Sequence, residues 1–187
     1  MTAPNVGNPT HPAVTNQLRL PRTAALGPGR GGQQRLLIDA PAGAAEIYLH
    51  GATVTSWVPR GGSEVIFTSR QAVFDGATAI RGGIPLCLPE FGVGINGDAV
   101  PKHGWARIAP WRLRTVTTTD GGGVRALLSV SRDRLTALYE VEVGETLRLG
   151  LSLRNEGTEP RTVEAAAHTY LSVHDVTASV ISRAIPR

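Results

Sequence analysis

LYEVEVGETLRLGLSLR, residues 138–154, decides the fold. In its first half Tyr139, Val141 and Val143 alternate with Glu140 and Glu142. In its second half Leu147, Leu149, Leu151 and Leu153 recur at every other position, separated by Arg148, Gly150 and Ser152. Successive side chains of a strand point to opposite faces, so a period of two gives each run one apolar and one polar face. Half-buried antiparallel strands carry this signature, and an amphipathic helix, whose apolar residues recur every 3.6 positions, does not.

The same period extends outward in both directions. WRLRTVTTT (111–119) and VRALLSVS (124–131) flank DGGG at 120–123 and predict a hairpin. Nearer the N-terminus, AEIYLH (45–50) and ATVTSWV (52–58) are short runs broken at Gly51, followed by Pro59 and the turn RGGS, and EVIFT (64–68) predicts another strand. Beyond the turn NEGTEP (155–160), RTVEAAAHTYLSV (161–173) continues the pattern, although EAAAH alone also fits a helical turn. No long amphipathic helix and no internal repeat interrupts this series. The predicted fold class is all-β, an antiparallel β-sandwich of many short strands. Residues 1–34, rich in Pro, Gly, Asn and Thr and lacking either period, are expected to form a mobile arm, with one sandwich domain over 35–187.

Composition narrows the function. At 187 residues the chain suits one domain with a sizeable core, and 41% hydrophobic against 18% charged residues marks it as globular. The net charge of +4 is mostly arginine scattered singly among small and apolar residues. Without Lys/Arg runs or interleaved aromatics it reads only weakly as a nucleic-acid surface, and an acidic small-molecule substrate fits as well. The one cysteine, Cys87, excludes an intramolecular disulfide and fits a reducing compartment; between Leu86 and Leu88 it reads as a packed thiol. No signal-peptide core and no apolar stretch near the roughly 20 residues of a membrane span is present, so no membrane association is expected and the cytoplasm is the simplest address.

Two segments concentrate the chemistry. In RGGIPLCLPEFG (81–92), Gly82 and Gly83 permit a sharp turn or a close backbone approach, while Pro85 and Pro89 stiffen the loop that carries Arg81. In KHGWAR (102–107), Lys102, His103 and Arg107 surround a glycine turn and Trp105, whose face would suit a sugar ring. Guanidinium forks match phosphate or carboxylate geometry, so the two segments read as an anion pocket. Spacing alone supports equally a pair of surface arginines tied to carboxylates such as Asp75.

GATVTSWVP, EVIFTS, AIRGGIPLCLPEFG, HGWAR and AAAHTYLSVHDV, in this order over residues 36–176, resemble the hexose-6-phosphate mutarotases, or glucose-6-phosphate 1-epimerases, of the galactose-mutarotase-like superfamily. The resemblance implies a large antiparallel β-supersandwich and interconversion of the α and β anomers of a hexose 6-phosphate without metal or organic cofactor. It assigns Arg81, Lys102 and Arg107 to the phosphate, with Lys102 at a position that is often polar and uncharged. It assigns His103 to sugar hydroxyls and makes His168, in AAAHTYL, the catalytic acid. A histidine suits that role because its ordinary pKa lies near neutrality. His174, His50 and His11 are expected to be structural or solvent-exposed. The resemblance places the catalytic base on a glutamate well beyond His168, where no segment of this chain corresponds, so the chain is expected to be a C-terminally truncated, incomplete sandwich. Glu90 and Glu164 are the nearby carboxylates, and neither carries that role by resemblance. An isomerase, or its N-terminal portion, is therefore weighed against a non-catalytic phosphosugar-binding domain. Which hexose phosphate is preferred, and the oligomeric state, stay open.

Overall fold

The computed structural model describes residues 18–180. Its strands are β1 (Ala24–Pro28), β2 (Gln34–Ala40), β3 (Gly43–Tyr48), β4 (Thr53–Pro59), β5 (Leu86–Cys87), β6 (Arg112–Thr118), β7 (Val124–Arg132), β8 (Leu135–Val143), β9 (Leu147–Asn155) and β10 (Ala166–Ala167). Short 3-10 turns at Arg30–Gly32 and Ala106–Ile108 are the helical elements among the described residues. β1-β2-β3-β4 and β6-β7-β8-β9 form two four-stranded antiparallel meanders, and β5 pairs with β10 in a third, two-stranded sheet. The all-β, antiparallel expectation holds.

The period-two reading of 138–154 is realised in detail. Tyr139, Val141 and Val143 are fully buried, and the β8–β9 register sets Tyr139 opposite Leu151 and Val141 opposite Leu149, so the leucines share the core-facing side. Both meanders feed one core. Leu36, Ile38, Ile47 and Val54 from the first sheet cluster with Leu128, Leu135 and Tyr139 from the second, and with Leu86, Leu88 and Trp111 between them. Full burial of such aliphatic side chains contributes about 1.5–3 kcal/mol each. Coverage thins toward β9. Its outer edge has no partner strand among the described residues, Leu147, Leu149 and Leu151 are half-buried, and Leu153 is 39% exposed.

Three expectations need correction. Residues 1–17 of the expected arm lie outside the described residues, but its remainder is built into the fold: β1 pairs in register with β2 from Ala24–Ile38 to Pro28–Gln34, and Leu18 and Leu20 pack against the core. As an edge strand containing Gly27 and Pro28, β1 needs hydrogen bonds on one side only, which is where proline is tolerated. EVIFT forms no ladder. Ile66 bridges Leu171 and Thr68 bridges Gly82, because this segment runs between irregular stretches rather than beside a long strand. RTVEAAAHTYLSV is likewise regular only at Ala166–Ala167, and no helix forms at EAAAH.

Those two irregular segments and the glycine–proline loop knit together. Gly83 donates to the Phe67 carbonyl at 2.8 Å, and the amides of Tyr170, His168 and Glu164 donate to the carbonyls of Gly83, Pro85 and Pro89 at 2.9, 3.0 and 2.8 Å. Gly83 is a glycine for close packing. It is buried at φ +73°, and a Cβ there would lie 2.6 Å from the Val54 carbonyl oxygen, so the loop lies flat on β4 rather than approaching a ligand.

Candidate active site

KHGWAR is folded back onto LPEFG by backbone pairing. His103 donates to Gly92 O at 2.7 Å, Leu88 to His103 O at 3.2 Å and Ala106 to Leu88 O at 3.0 Å. The reversal needs consecutive left-handed residues, His103 at φ +64° and Gly104 at φ +69°. A side chain at 104 would collide with the Leu88 carbonyl, which restricts that position to glycine. A histidine in the left-handed region is uncommon and persists only where its surroundings fix it.

Those surroundings also fix its tautomer. The Gly92 amide donates to His103 Nδ1 at 3.2 Å, and Cys87 Sγ lies 3.5 Å from the same nitrogen. A backbone amide only donates, so Nδ1 is unprotonated and the neutral ring carries its proton on Nε2. Desolvation first, then the Arg107 guanidinium, His168 and Lys102, push the His103 pKa below its ordinary 6.5. A folded-state pKa below the unfolded one means the unfolded chain binds more protons between the two values, so stability falls as pH drops through 6.5 toward the folded value. We expect the melting temperature to fall between about pH 7 and pH 5. His103→Asn, which tolerates the left-handed backbone and offers an acceptor in place of Nδ1, should flatten that slope in a calorimetric pH series. Identical slopes for the two proteins would exclude His103 as its source.

His103 sits in an aromatic cluster with His168. The two imidazoles meet edge to face with centroids 5.9 Å apart; Phe91 stacks on His168 at 6.2 Å and Tyr170 tilts over it at 5.0 Å. β10 and the hydrogen bond from His168 N to Pro85 O deliver His168 to this place. Tyr170, two residues on in extended chain, reaches the same side.

Tyr170 also lines a cavity of about 500 Å³ whose wall includes Gln71, Thr78, Arg81, Pro85 and Arg107. It therefore joins the two predicted arginines, 26 positions apart in sequence, and its lining contains no carboxylate. Among the described residues no carboxylate lies within salt-bridge distance of Arg81, Lys102 or Arg107. Asp75 is engaged elsewhere. Its carboxylate accepts the amides of Thr78 and Ala77 and the Thr78 hydroxyl, bonds that hold its pKa down at about 2. Arg107 Nη2 donates to the Lys102 carbonyl at 2.8 Å, which orients the guanidinium, while its Nε is buried without an acceptor. A cavity of similar size, about 520 Å³, opens at the β6–β7 and β8–β9 turns, but there Arg125 is bound to Glu142 at 2.6 Å. Of these two cavities, only the first combines guanidinium groups that have no carboxylate partner among the described residues with Tyr170, the neighbour of His168.

Other predicted roles fall differently. Lys102 presents its carbonyl to Arg107 and its exposed side chain is not part of the cavity wall. Trp105 is 5% exposed and packs in the core, so its ring is not a platform for a sugar. Cys87 is buried on β5 and burial pushes its thiol pKa up, the opposite of an activated nucleophile. Glu164 accepts the Phe91 amide at 3.3 Å rather than facing open space beside His168. His50 is buried, His174 is exposed, and His11 lies outside the described residues. Among the described residues no three His, Cys, Asp or Glu side chains converge to hold a metal ion, and no helix is long and apolar enough to cross a membrane. Phe91, Gln71, Thr78 and Tyr170 were not singled out by sequence. For Tyr170 the signal was its spacing of two from His168; the other three needed the loop packing.

The molecule is thus an antiparallel β-sandwich protein with an arginine-lined cavity beside a pair of histidines. It belongs to the aldose 1-epimerase family, whose sequence profile matches residues 34–184. A relative from Escherichia coli (strain K12), named as a candidate glucose-6-phosphate 1-epimerase, is 32% identical over 150 residues, covering 75% of this chain and 49% of the relative. One from Cenchrus ciliaris with the same name is 35% identical over 149 residues, covering 71% and 44%. The crystal structure of a candidate mutarotase, YeaD of Salmonella typhimurium, superposes with a TM-score of 0.75 at 28% identity, covering 84% of this chain and 54% of that one. The chain spans about half the length of the curated relatives it matches.

Proposed function

We propose that the protein acts on a hexose 6-phosphate as a mutarotase, or is the N-terminal portion of one that extends from the N-terminal strands through the His168 strand. The observation that carries this reading is the shared cavity of Arg81 and Arg107, with no carboxylate in its wall, next to the His103–His168 pair. Charge-assisted hydrogen bonds from two guanidinium groups suit a phosphate dianion, and Lys102 adds positive potential nearby. His168 then acts as general acid. It delivers a proton to the ring oxygen as the C1–O5 bond breaks and a base removes the C1 hydroxyl proton; the carbonyl so formed rotates, recloses from its other face, and returns both protons. His103, neutral with its proton on Nε2, donates to a sugar hydroxyl. The base is not assigned to Glu164, whose carboxylate is engaged by the Phe91 amide, and among the described residues no contact ties Glu90 to His168 or to the arginines.

The test is to titrate glucose 6-phosphate and glucose into the protein by calorimetry and to follow anomer exchange of glucose 6-phosphate by exchange NMR. Preferential binding of the phosphorylated sugar with exchange above the spontaneous rate is expected. Equal affinity for both sugars would refute the phosphate site. Selective binding without accelerated exchange would replace the enzyme by a phosphosugar-binding domain.

A further inference from the structure

We infer that His50 is a positioning residue that sets the spacing of Arg81 and Arg107, an inference that rests on the anion site proposed above. His50 opens the turn between β3 and β4 and is 7% exposed. It lies 2.9 Å, through Nε2, from the Thr78 carbonyl oxygen. A carbonyl only accepts, so Nε2 carries the proton and the imidazole donates. Thr78 itself lines the cavity and stands three residues before Arg81, in a turn whose other end is closed by the Asp75 carboxylate. Between Thr78 and Arg81, Ile80 is buried against Tyr48 and Phe74, so movement of the Thr78 carbonyl is transmitted along a short, anchored segment.

The same turn holds the second arginine. The His50 backbone bridges Pro110, Gly51 N donates to Ala109 O at 2.8 Å, and Gly51, at φ +70°, packs so closely that a Cβ would strike the Arg107 carbonyl. His50 and Gly51, in the four-residue turn 49–52, thereby grip the chain just before Arg81 with a side chain and just after Arg107 with backbone. The backbone contacts survive any substitution at 50, so the imidazole bond to Thr78 is the separable half of the clamp. A carbonyl contact of this kind, once lost, leaves the acceptor segment that carries Thr78 and Arg81 free to shift, and misplacement of a charged fork weakens bidentate recognition.

The experiment is a calorimetric titration with inorganic phosphate and with glucose 6-phosphate of five proteins: wild type, His50→Gln, His50→Leu, and Arg81→Ala with and without His50→Leu. His50→Gln keeps an N–H donor at similar reach and should bind within about twofold of wild type, whereas His50→Leu should bind both ligands about three- to tenfold more weakly. In the Arg81→Ala background His50→Leu should cost nothing further, since its effect passes through Arg81. Should His50→Leu fail to fold, His50→Asn, whose shorter amide falls short of Thr78, carries the same expectation. A His50→Leu protein with a lowered melting temperature but unchanged phosphate affinity would make His50 structural only, and additive losses with Arg81→Ala would exclude action through Arg81. If Arg81→Ala alone left phosphate affinity unchanged, the anion site itself would fall, a result distinct from failure of the clamp.

Discussion

Arg81→Ala should weaken glucose 6-phosphate binding by about 10- to 150-fold, the range that follows from about 1.5–3 kcal/mol for a hydrogen bond to a charged group. Glucose binding should change little. The asymmetry follows from the site: Arg81 lies in the wall of the cavity with Arg107, has no carboxylate partner among the described residues, and is exposed. Removing it therefore leaves no buried carboxylate unpaired, and the loss is confined to what the guanidinium does for a ligand. Two calorimetric titrations per protein decide the matter. Parallel weakening of both sugars would mean that the substitution has disturbed the loop from Gly82 to Pro85, not the recognition of phosphate. Because screening acts on this interaction, the difference between wild type and variant should also shrink as salt is raised.

His168→Gln should lower the rate of anomer exchange by about 10²- to 10⁴-fold, the usual contribution of a positioned general acid, while affinity for glucose 6-phosphate stays within a few-fold of wild type. Glutamine keeps polarity and approximate length, and the bond from residue 168 N to Pro85 O is a backbone contact that the substitution leaves alone. A fall in rate with unchanged affinity therefore separates proton transfer from positioning. Exchange NMR on the two proteins at matched saturation is the measurement, and wild-type exchange in the variant would reduce His168 to a member of the Phe91–Tyr170 aromatic stack.

Where alternation was long and bounded by glycine turns, the strands could be read from sequence to within a residue or three: β6, β7, β8 and β9 all lie where the period of two predicts them. Alternation fails as a guide where a segment is satisfied by scattered bridges. EVIFT and RTVEAAAHTYLSV look like strands, yet Ile66, Thr68 and Leu171 each find a partner one residue at a time, while AALGP, with no apolar alternation, is a true edge strand. At the site, residue type alone could not decide between an anion pocket and arginines neutralised by Asp75. That Asp75 is saturated by its own turn, and so is not their partner, is visible only in the structure. Trp105 shows the converse. A tryptophan between two cationic residues suggests a ligand platform, but the left-handed pair at His103 and Gly104 turns it inward.

The antiparallel pairing of the 81–89 loop with residues 164–170 has a metrological consequence. Hydrogen bonds from Tyr170, His168 and Glu164 to Gly83, Pro85 and Pro89 tie the two segments rung by rung. Arg81 and His168 thus sit at fixed graduations on one scale, unable to slide apart without breaking several rungs together. On the proposed reading, this scale gauges substrates by length: the span from phosphate to ring oxygen must match the interval between the marks. A sugar phosphorylated at the anomeric carbon, or one with a shorter carbon chain, would bring its phosphate to the guanidinium groups while leaving its reactive centre off the mark.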